Sequence, residues 1–125
     1  MNIPGDLKYT KEHEWLRVEG NIATVGITDY AQGELGDIVF VELPNIGDEF
    51  DYMAAFGTIE AVKAVSEIYA PLTGKVVEVN GTLDDDPMVI NKDPYGEGWM
   101  IKIEVGKPEE LEQLLDATGY TDLVG

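Results

Sequence analysis

The sequence offers few side chains that could carry out covalent chemistry, and Lys63 is the most conspicuous of them. It lies in the segment IEAVKAVSEIYAP, residues 59–71, whose other charges are Glu60 and Glu67, and the whole chain has only eight lysines and arginines. A lysine amine can be acylated, which would attach a group to the chain in amide linkage. The residues alone favour a simpler interpretation, an ordinary solvated lysine on the face of a helix.

Two other groups of polar residues suggest chemistry but meet its requirements poorly. His13 and Glu14 could form an acid–base pair, but adjacent strand residues point to opposite faces, so we expect a structural histidine near Trp15. The run Asp84–Asp86 lacks the alternating oxygen ligands of a calcium loop and precedes a proline, which predicts a solvated acidic loop. We therefore predict no catalytic residue and no metal site.

The composition narrows the class of protein. The 125 residues suit a single domain, 1–125, and the formal net charge of -17 disfavours nucleic acid and anionic membranes as partners. The chain has no cysteine, which excludes disulfides, thiolate metal sites and cysteine nucleophiles. The N-terminal segment has no apolar signal core, and no segment approaches the ~18 consecutive apolar residues of a membrane span, so we expect a soluble protein that is unexported or already processed.

Short elements separated by glycine and proline indicate a mainly β protein. The segment TDYAQGEL predicts a short helix, for which Thr28 or Asp29 would be the N-cap. Alternation of apolar and polar residues predicts strands near residues 14–18, 20–27, 37–43, 74–80 and 99–105.

The C-terminal part has a different pattern, typical of a helix. Pro108 suits a first helical position, and Leu111, Leu114 and Leu115 form one apolar stripe. These residues predict a C-terminal helix that ends near DATGY, where a short turn would follow.

Two pairs of segments form a weak internal repeat. GNIATV (20–25) resembles GKVVEV (74–79), and GDIVFVE (36–42) resembles GWMIKIE (98–104), in the same order in both halves. A two-fold repeat of strands suggests two similar sheets packed face to face with pseudo-two-fold symmetry.

The segment around Lys63 fits two different structures. Ile59, Val62 and Val65 recur every three residues among good helix formers, which predicts a helix over residues 58–68. The alternative is a β-hairpin with Lys63 at its tip. Periodicity does not decide between the two.

Four segments, in order, resemble the glycine cleavage system H proteins: YTKEHEWLRVEG, ATVGITDYAQGELGDIVFVELP, IEAVKAVSEIYAPLTGKVVEVN and INKDPYGEGWMIKIEV. The resemblance implies that Lys63 is the tip of a β-hairpin and carries lipoic acid in amide linkage. It also implies a barrel-sandwich hybrid with short helices, divided into a carrier core of about 20–105, an N-terminal strand segment 8–19 and a C-terminal helical segment 107–125. The tip residues Val62–Ala64 lack the Asn-Gly or Asp-Gly of a tight turn, which we interpret as selection for function rather than folding.

The resemblance also implies a role in glycine catabolism and one-carbon metabolism. A carrier without its own catalytic site would take the aminomethyl group from the decarboxylating glycine dehydrogenase (P protein). It would pass that group to the aminomethyltransferase (T protein) and electrons to the dihydrolipoyl dehydrogenase (L protein). Lipoylation enzymes would modify Lys63. We expect a monomer, in the cytoplasm if bacterial or in the mitochondrial matrix if a processed eukaryotic form.

The resemblance places a polar cleft near the arm. Glu14 and Glu67 match its positions, and Glu12 stands where the family often has serine. An aminomethyl group on sulfur is cationic, so we expect these three carboxylates to hold it by charge-assisted hydrogen bonds.

Other carriers with an acylated lysine are alternatives. Biotin acceptors usually have methionine on both sides of the lysine, whereas Val62 and Ala64 flank Lys63. The absence of a flexible linker disfavours a lipoyl domain of a 2-oxoacid dehydrogenase. A lipoyl relay that hands lipoate to other complexes stays open as an additional role, and a hydrolase that uses Glu14 has no nucleophile to support it.

Overall fold

The computed structural model describes residues 2–125, and most of its regular structure is β-strand. The five strands predicted from alternation are all present, with ends shifted by at most two residues. The strands are β1 (Lys8–Tyr9), β2 (Glu14–Glu19), β3 (Ile22–Ile27), β4 (Ile38–Glu42), β5 (Glu49–Phe50), β6 (Ala55–Ala61), β7 (Val65–Tyr69), β8 (Gly74–Val79) and β9 (Ile101–Val105).

The helices are short and lie between the strands. They are α1 (Asp29–Leu35), α2 (Thr82–Asp85), α3 (Val89–Lys92), a 3₁₀ helix (Pro108–Gln113) and α4 (Ala117–Val124). Thr28 caps α1, because its Oγ1 accepts a hydrogen bond from the Ala31 N–H at 3.2 Å, as predicted. The predicted loop at Asp84–Asp86 is wrong in its first part, where α2 forms. Leu83 is buried and ties this turn to the core, while the three aspartates stay exposed.

The strands form two antiparallel sheets, which confirms the mainly β, two-sheet prediction. The larger sheet has the order β1-β2-β3-β9-β8-β5, and the smaller has the order β4-β6-β7. The sheets are not equal copies of one unit. The repeat segments β3 and β8 lie on either side of β9 in the larger sheet, whereas β4 lies in the smaller one.

Buried side chains from both sheets pack into one main core. Leu16, Val25 and Ile103 come from the larger sheet, and Ile59 and Ile68 from the smaller. A second cluster combines the N-terminal strands with the C-terminal helix: Leu7, Tyr9, Trp15, Tyr95 and Tyr120. Its close packing is visible where Trp15 crosses β3, because a β-carbon at Gly26 would lie 2.8 Å from the indole nitrogen.

The C-terminal helix is divided into two, which corrects the prediction of one α-helix followed by a turn. Residues after Pro108 form a 3₁₀ helix, and the backbone of Leu115 then pairs with Tyr9 as an isolated bridge. That pairing takes the chain out of helical geometry. Asp116 restarts it by accepting a hydrogen bond from the Gly119 N–H at 2.8 Å, and α4 follows.

Two further expectations concern the chain as a whole. The division into a carrier core of 20–105 with flanking segments 8–19 and 107–125 stays a prediction. Among the residues described, no helix has the length and apolar character needed to cross a membrane.

Candidate functional site

Lys63 lies at the tip of a β-hairpin made by β6 and β7. Their register pairs Ile59 with Ser66 and Glu60 with Val65. At the tip, the Ala61 N–H donates to the Ala64 carbonyl at 2.9 Å. The hairpin alternative is therefore confirmed and the helix over 58–68 is wrong.

The tip needs no special turn residues. Among residues 2–125, the only non-glycine residues with positive φ are His13 (φ 71) and Met53 (φ 66), so Val62, Lys63 and Ala64 adopt ordinary backbone conformations. A loop without positive φ does not require Asn-Gly or Asp-Gly. The absence of these residues is thus no sign of function, and our interpretation of the turn was wrong.

The side chain of Lys63 is exposed and rests on a glycine. A β-carbon added at Gly36 would lie 3.4 Å from Cγ, Cδ and Cε of Lys63, so the aliphatic stem runs over the end of α1. Gly36 has φ +81 and donates its N–H to the Gln32 carbonyl as the C-cap. In the described structure, the one ion pair is Lys102 with Glu78, and Lys63 forms none.

A cleft of about 250 Å³ lies between α1, the start of β2 and the hairpin. The three carboxylates predicted for a polar cleft, Glu12, Glu14 and Glu67, all line it. Its other lining residues are His13, Ile27, Tyr30, Ala31, Glu34, Leu35, Ile59, Ser66 and Ile68.

Glu14 is the buried carboxylate of this cleft, with 1% of its surface exposed. Its Oε1 accepts a hydrogen bond from the Thr10 hydroxyl at 2.5 Å, and its Oε2 accepts one from the Tyr69 N–H at 3.2 Å. Burial raises the pKa of Glu14 from 4.5 to about 7, although both hydrogen bonds act in the opposite direction. Near neutral pH this carboxyl can therefore exist in either protonation state.

Glu67 and Glu12 are exposed, unlike Glu14. The Tyr69 hydroxyl donates to Oε2 of Glu67 at 3.4 Å, and the negative charge of Glu67 raises the pKa of Tyr69. Glu12 is held by its backbone, whose N–H donates to the Thr10 hydroxyl oxygen at 3.2 Å. One threonine thus positions the segment that carries both Glu12 and Glu14.

His13 belongs to the same cleft, which corrects our expectation that it faces away from Glu14. With φ 71 it lies outside the strand, so strand alternation does not apply to it. Its Nδ1 is hydrogen-bonded to the Tyr120 hydroxyl at 2.8 Å, and its ring is 4.8 Å from that of Tyr30. Burial lowers the pKa of His13, partly offset by the charges of Glu12 and Glu34. Its ring partners are these two tyrosines.

Comparison with known families accounts for this arrangement. The family model described as Glycine cleavage H-protein matches residues 7–125. The chain belongs to the glycine cleavage H-protein family. The members of this family are the lipoate-bearing carriers of the glycine cleavage system.

Two relatives and one solved structure are similar to this H-protein family member over nearly its whole length. The glycine cleavage system H protein of Symbiobacterium thermophilum is 60% identical over 119 residues, which is 95% of this chain and 93% of the relative. That of Staphylococcus epidermidis is 54% identical and covers 100% of this chain and 99% of its own. The crystal structure of a glycine cleavage system H protein from Mycobacterium marinum is 40% identical, with a TM-score of 0.88 over 98% of this chain and 99% of that chain.

The sequence did not identify every residue that lines the cleft of this H-protein family member. Ala31 and Leu35 form its α1 wall, with Glu34 beside them. A signal was present, because Ala31 and Leu35 are four residues apart and lie on one face of a helix. The contribution of His13 had no such signal, since it depends on a positive φ.

A larger depression, of about 680 Å³, lies elsewhere on this H-protein family member. It is formed around β5 and the start of β8 and contains none of the predicted site residues. Its lining residues are Glu49, Phe50, Asp51, Thr73, Gly74, Lys75, Glu104 and Gly106. Size alone therefore does not mark the site, and the smaller cleft beside the hairpin has the chemistry.

The raised pKa of Glu14 predicts a pH-dependent loss of stability. Between about pH 4.5 and 7 the unfolded carboxyl ionises while the folded one keeps its proton, so native stability falls as pH rises and then levels off. Glu14→Gln cannot ionise. We expect its unfolding free energy, relative to wild type, to rise by about 2 kcal/mol from about pH 4 to about pH 8.

Urea unfolding of both proteins across this pH range measures the effect. Any constant cost of placing an amide beside Thr10 cancels, because only the change with pH is compared. Glu19→Gln, at the exposed far end of β2, is the control and should run parallel to wild type. A constant difference between Glu14→Gln and wild type would contradict the assigned pKa.

Proposed function

We propose that Lys63 carries lipoic acid in amide linkage and that the protein shuttles the aminomethyl group of glycine. The group would come from the glycine dehydrogenase and go to the aminomethyltransferase, and electrons would pass to the dihydrolipoyl dehydrogenase. The observation that carries this proposal is the position of Lys63, an exposed amine at a hairpin tip beside a cleft that contains a buried carboxylate.

The surroundings of Lys63 fit an acylated lysine. A modifying enzyme must take the amine into its own site, and an exposed amine without an ion pair is accessible. Gly36 leaves the stem unobstructed where any β-carbon would come into contact with it. The hairpin is also anchored, because the Val62 N–H donates to the Asp37 carbonyl at 3.0 Å, which ties the tip to the chain before β4.

Lipoic acid supplies a disulfide that can accept the aminomethyl group and can afterwards be reoxidised from its dithiol. The protein supplies the environment of the cleft. Ile27, Ile59 and Ile68 provide an apolar lining that excludes water, and Glu14 provides a carboxylate whose charge can appear near neutral pH. A cationic amine near Glu14 would favour its ionised form, so holding the cargo and releasing the proton of Glu14 are coupled.

The remaining features are also proposals. We propose a monomer that acts on glycine only together with its partner enzymes, and a possible relay of lipoate to other complexes stays a prediction. The two relatives and the solved structure described above come from bacteria, which favours the cytoplasm over the mitochondrial matrix.

Purified protein alone should give no turnover with glycine, even when it is fully lipoylated. Intact mass after expression with lipoate establishes the modification, and release of labelled CO2 from carboxyl-labelled glycine measures turnover. Activity should appear only when glycine dehydrogenase is added. CO2 release by the lipoylated protein alone would contradict the carrier role, and so would full activity of the unlipoylated protein with the enzyme.

A further inference from the structure

The outer face of the smaller sheet has an ordered arrangement of side chains next to Lys63. Residues directly opposite each other in antiparallel strands share a face. Phe40 pairs with Glu60, and Glu60 pairs with Val65, so these three side chains form a row across the sheet. The next row, further from the tip, is Glu42, Thr58 and Glu67.

The residues closest to the tip are apolar and exposed. The exposed fractions are 50% for Phe40, 67% for Val65, 72% for Val62 and 56% for Val39. We call these four residues the tip patch. The buried residues of the same sheet, such as Ile59 and Ile68, are in the core, so packing within the protein does not explain the tip patch. Contiguous exposed apolar surface of this kind marks interaction sites.

Carboxylates surround the tip patch. Asp37, Glu42, Glu60 and Glu67 are exposed on or beside the smaller sheet, and Lys63 is the only lysine or arginine between residues 37 and 70. Acylation removes the positive charge of a lysine. The modified protein would therefore present an apolar centre with a purely acidic rim, which matches an apolar depression rimmed by arginine and lysine.

We propose that the tip patch is the surface on which the glycine dehydrogenase docks. This inference rests on the proposed function, because the neutral tip exists only when Lys63 is acylated. The glycine dehydrogenase is the enzyme that must take the arm before it bears an amine, when no cation offsets the acidic rim. It should present the depression at the mouth of the channel that admits the arm, with its basic side chains facing the carboxylates.

The two parts of the surface should act differently. An aromatic side chain at the centre of an interface mainly sets affinity, and rim charges mainly set the association rate and its salt dependence. Phe40 is the one aromatic residue of the tip patch. Its loss should weaken docking without changing the chemistry that follows.

Phe40→Ser and Val65→Ser test the apolar centre. Each is prepared fully lipoylated, and glycine decarboxylation by glycine dehydrogenase is measured against the concentration of the carrier. The KM for the carrier should rise about tenfold for Phe40→Ser and less for Val65→Ser, with kcat at saturation unchanged. Ile46→Ser is the matched control, since Ile46 is 65% exposed but lies beyond the other end of β4, and its KM should equal that of wild type.

Glu42→Lys/Glu60→Lys tests the rim, with Glu19→Lys/Glu97→Lys as a control of equal net charge outside it. The association rate of wild type with glycine dehydrogenase should fall as salt rises, since screening shortens to about 8 Å at physiological ionic strength. The rim variant should associate more slowly at low salt and show a weaker salt dependence. The control should stay close to wild type.

The outcomes separate this inference from the proposed function. An unmodified Lys63 in wild type, or no turnover of wild type with the enzyme, would refute the proposed function itself. An active wild type together with a wild-type KM for lipoylated Phe40→Ser would refute only the docking surface. Equal salt dependence of the rim and control variants would do the same.

Discussion

Lys63→Arg should accept no lipoate and should support no glycine-dependent turnover with the glycine dehydrogenase. Arginine keeps the length and positive charge of the side chain, but its guanidinium stays protonated and cannot act as the acylated amine. The exposed stem and the hairpin geometry do not depend on the amine, so the variant should fold like wild type. The expected effect is complete loss, the largest of any single substitution.

Peptide mapping by mass spectrometry after lipoylation in vitro decides this prediction. Lys75→Arg is the matched control, because Lys75 is also exposed on a strand and should leave lipoylation unchanged. Circular dichroism of both variants establishes that they are folded. A lipoyl mass on a lysine other than Lys63, or continued lipoylation of Lys63→Arg, would show that the attachment site is wrong.

The hairpin that carries Lys63 shows why periodicity alone could not predict the site. Ile59, Val62 and Val65 recur at a helical interval, but only Ile59 is buried, and the two valines are exposed. The three-residue pattern therefore combined one core residue with two surface residues. Only the resemblance of the flanking segments selected the hairpin, because the strand pairing that stabilises it lies outside the segment.

The cleft depends on contacts between distant parts of the chain, which no local pattern contains. Glu14 is brought to Tyr69 by a hydrogen bond across 55 positions, and His13 to Tyr120 across 107. The expectation for His13 failed because strand alternation was applied to a residue with positive φ. The strands were predictable because each alternates within itself.

The short helices failed for a related reason. Four-residue helices such as α2 have too few residues to show a period, and α4 begins where a turn was expected. Tyr120 of α4 is fully buried against Tyr9 and holds His13 at the cleft. The C-terminal residues thus help to shape the candidate site, which their sequence did not suggest.

Glu14→Ala should shorten the lifetime of the aminomethyl-loaded carrier while leaving lipoylation and reoxidation of the unloaded arm unchanged. The cargo amine is cationic, and Glu14 is the buried carboxylate of the cleft, so their hydrogen bond would be charge-assisted. Such a bond contributes about 1.5–3 kcal/mol, which corresponds to a change of roughly 10- to 100-fold in the ratio of docked to free arm. Glu67→Ala should have a smaller effect, because Glu67 is exposed and its charge is screened by solvent.

The protection by Glu14 should also depend on pH. Docking of a cation requires the ionised carboxylate, and the pKa of Glu14 is raised to about 7 before the cargo arrives. Below about pH 7 the carboxyl must first lose its proton, so docking weakens about tenfold for each pH unit. The lifetime of wild type divided by that of Glu14→Ala should therefore be largest near pH 8 and decrease as the pH falls. The intrinsic pH dependence of cargo hydrolysis cancels in this ratio.

Mass spectrometry of the loaded form over time gives the decay rates of wild type, Glu14→Ala, Glu67→Ala and the control Glu19→Ala, which lies at the far end of β2 outside the cleft. Glu19→Ala should decay like wild type. Equal decay of all four proteins would show that apolar shape, rather than carboxylates, protects the cargo. A Glu14→Ala effect that is the same at every pH would retain the protection but contradict its coupling to the proton of Glu14.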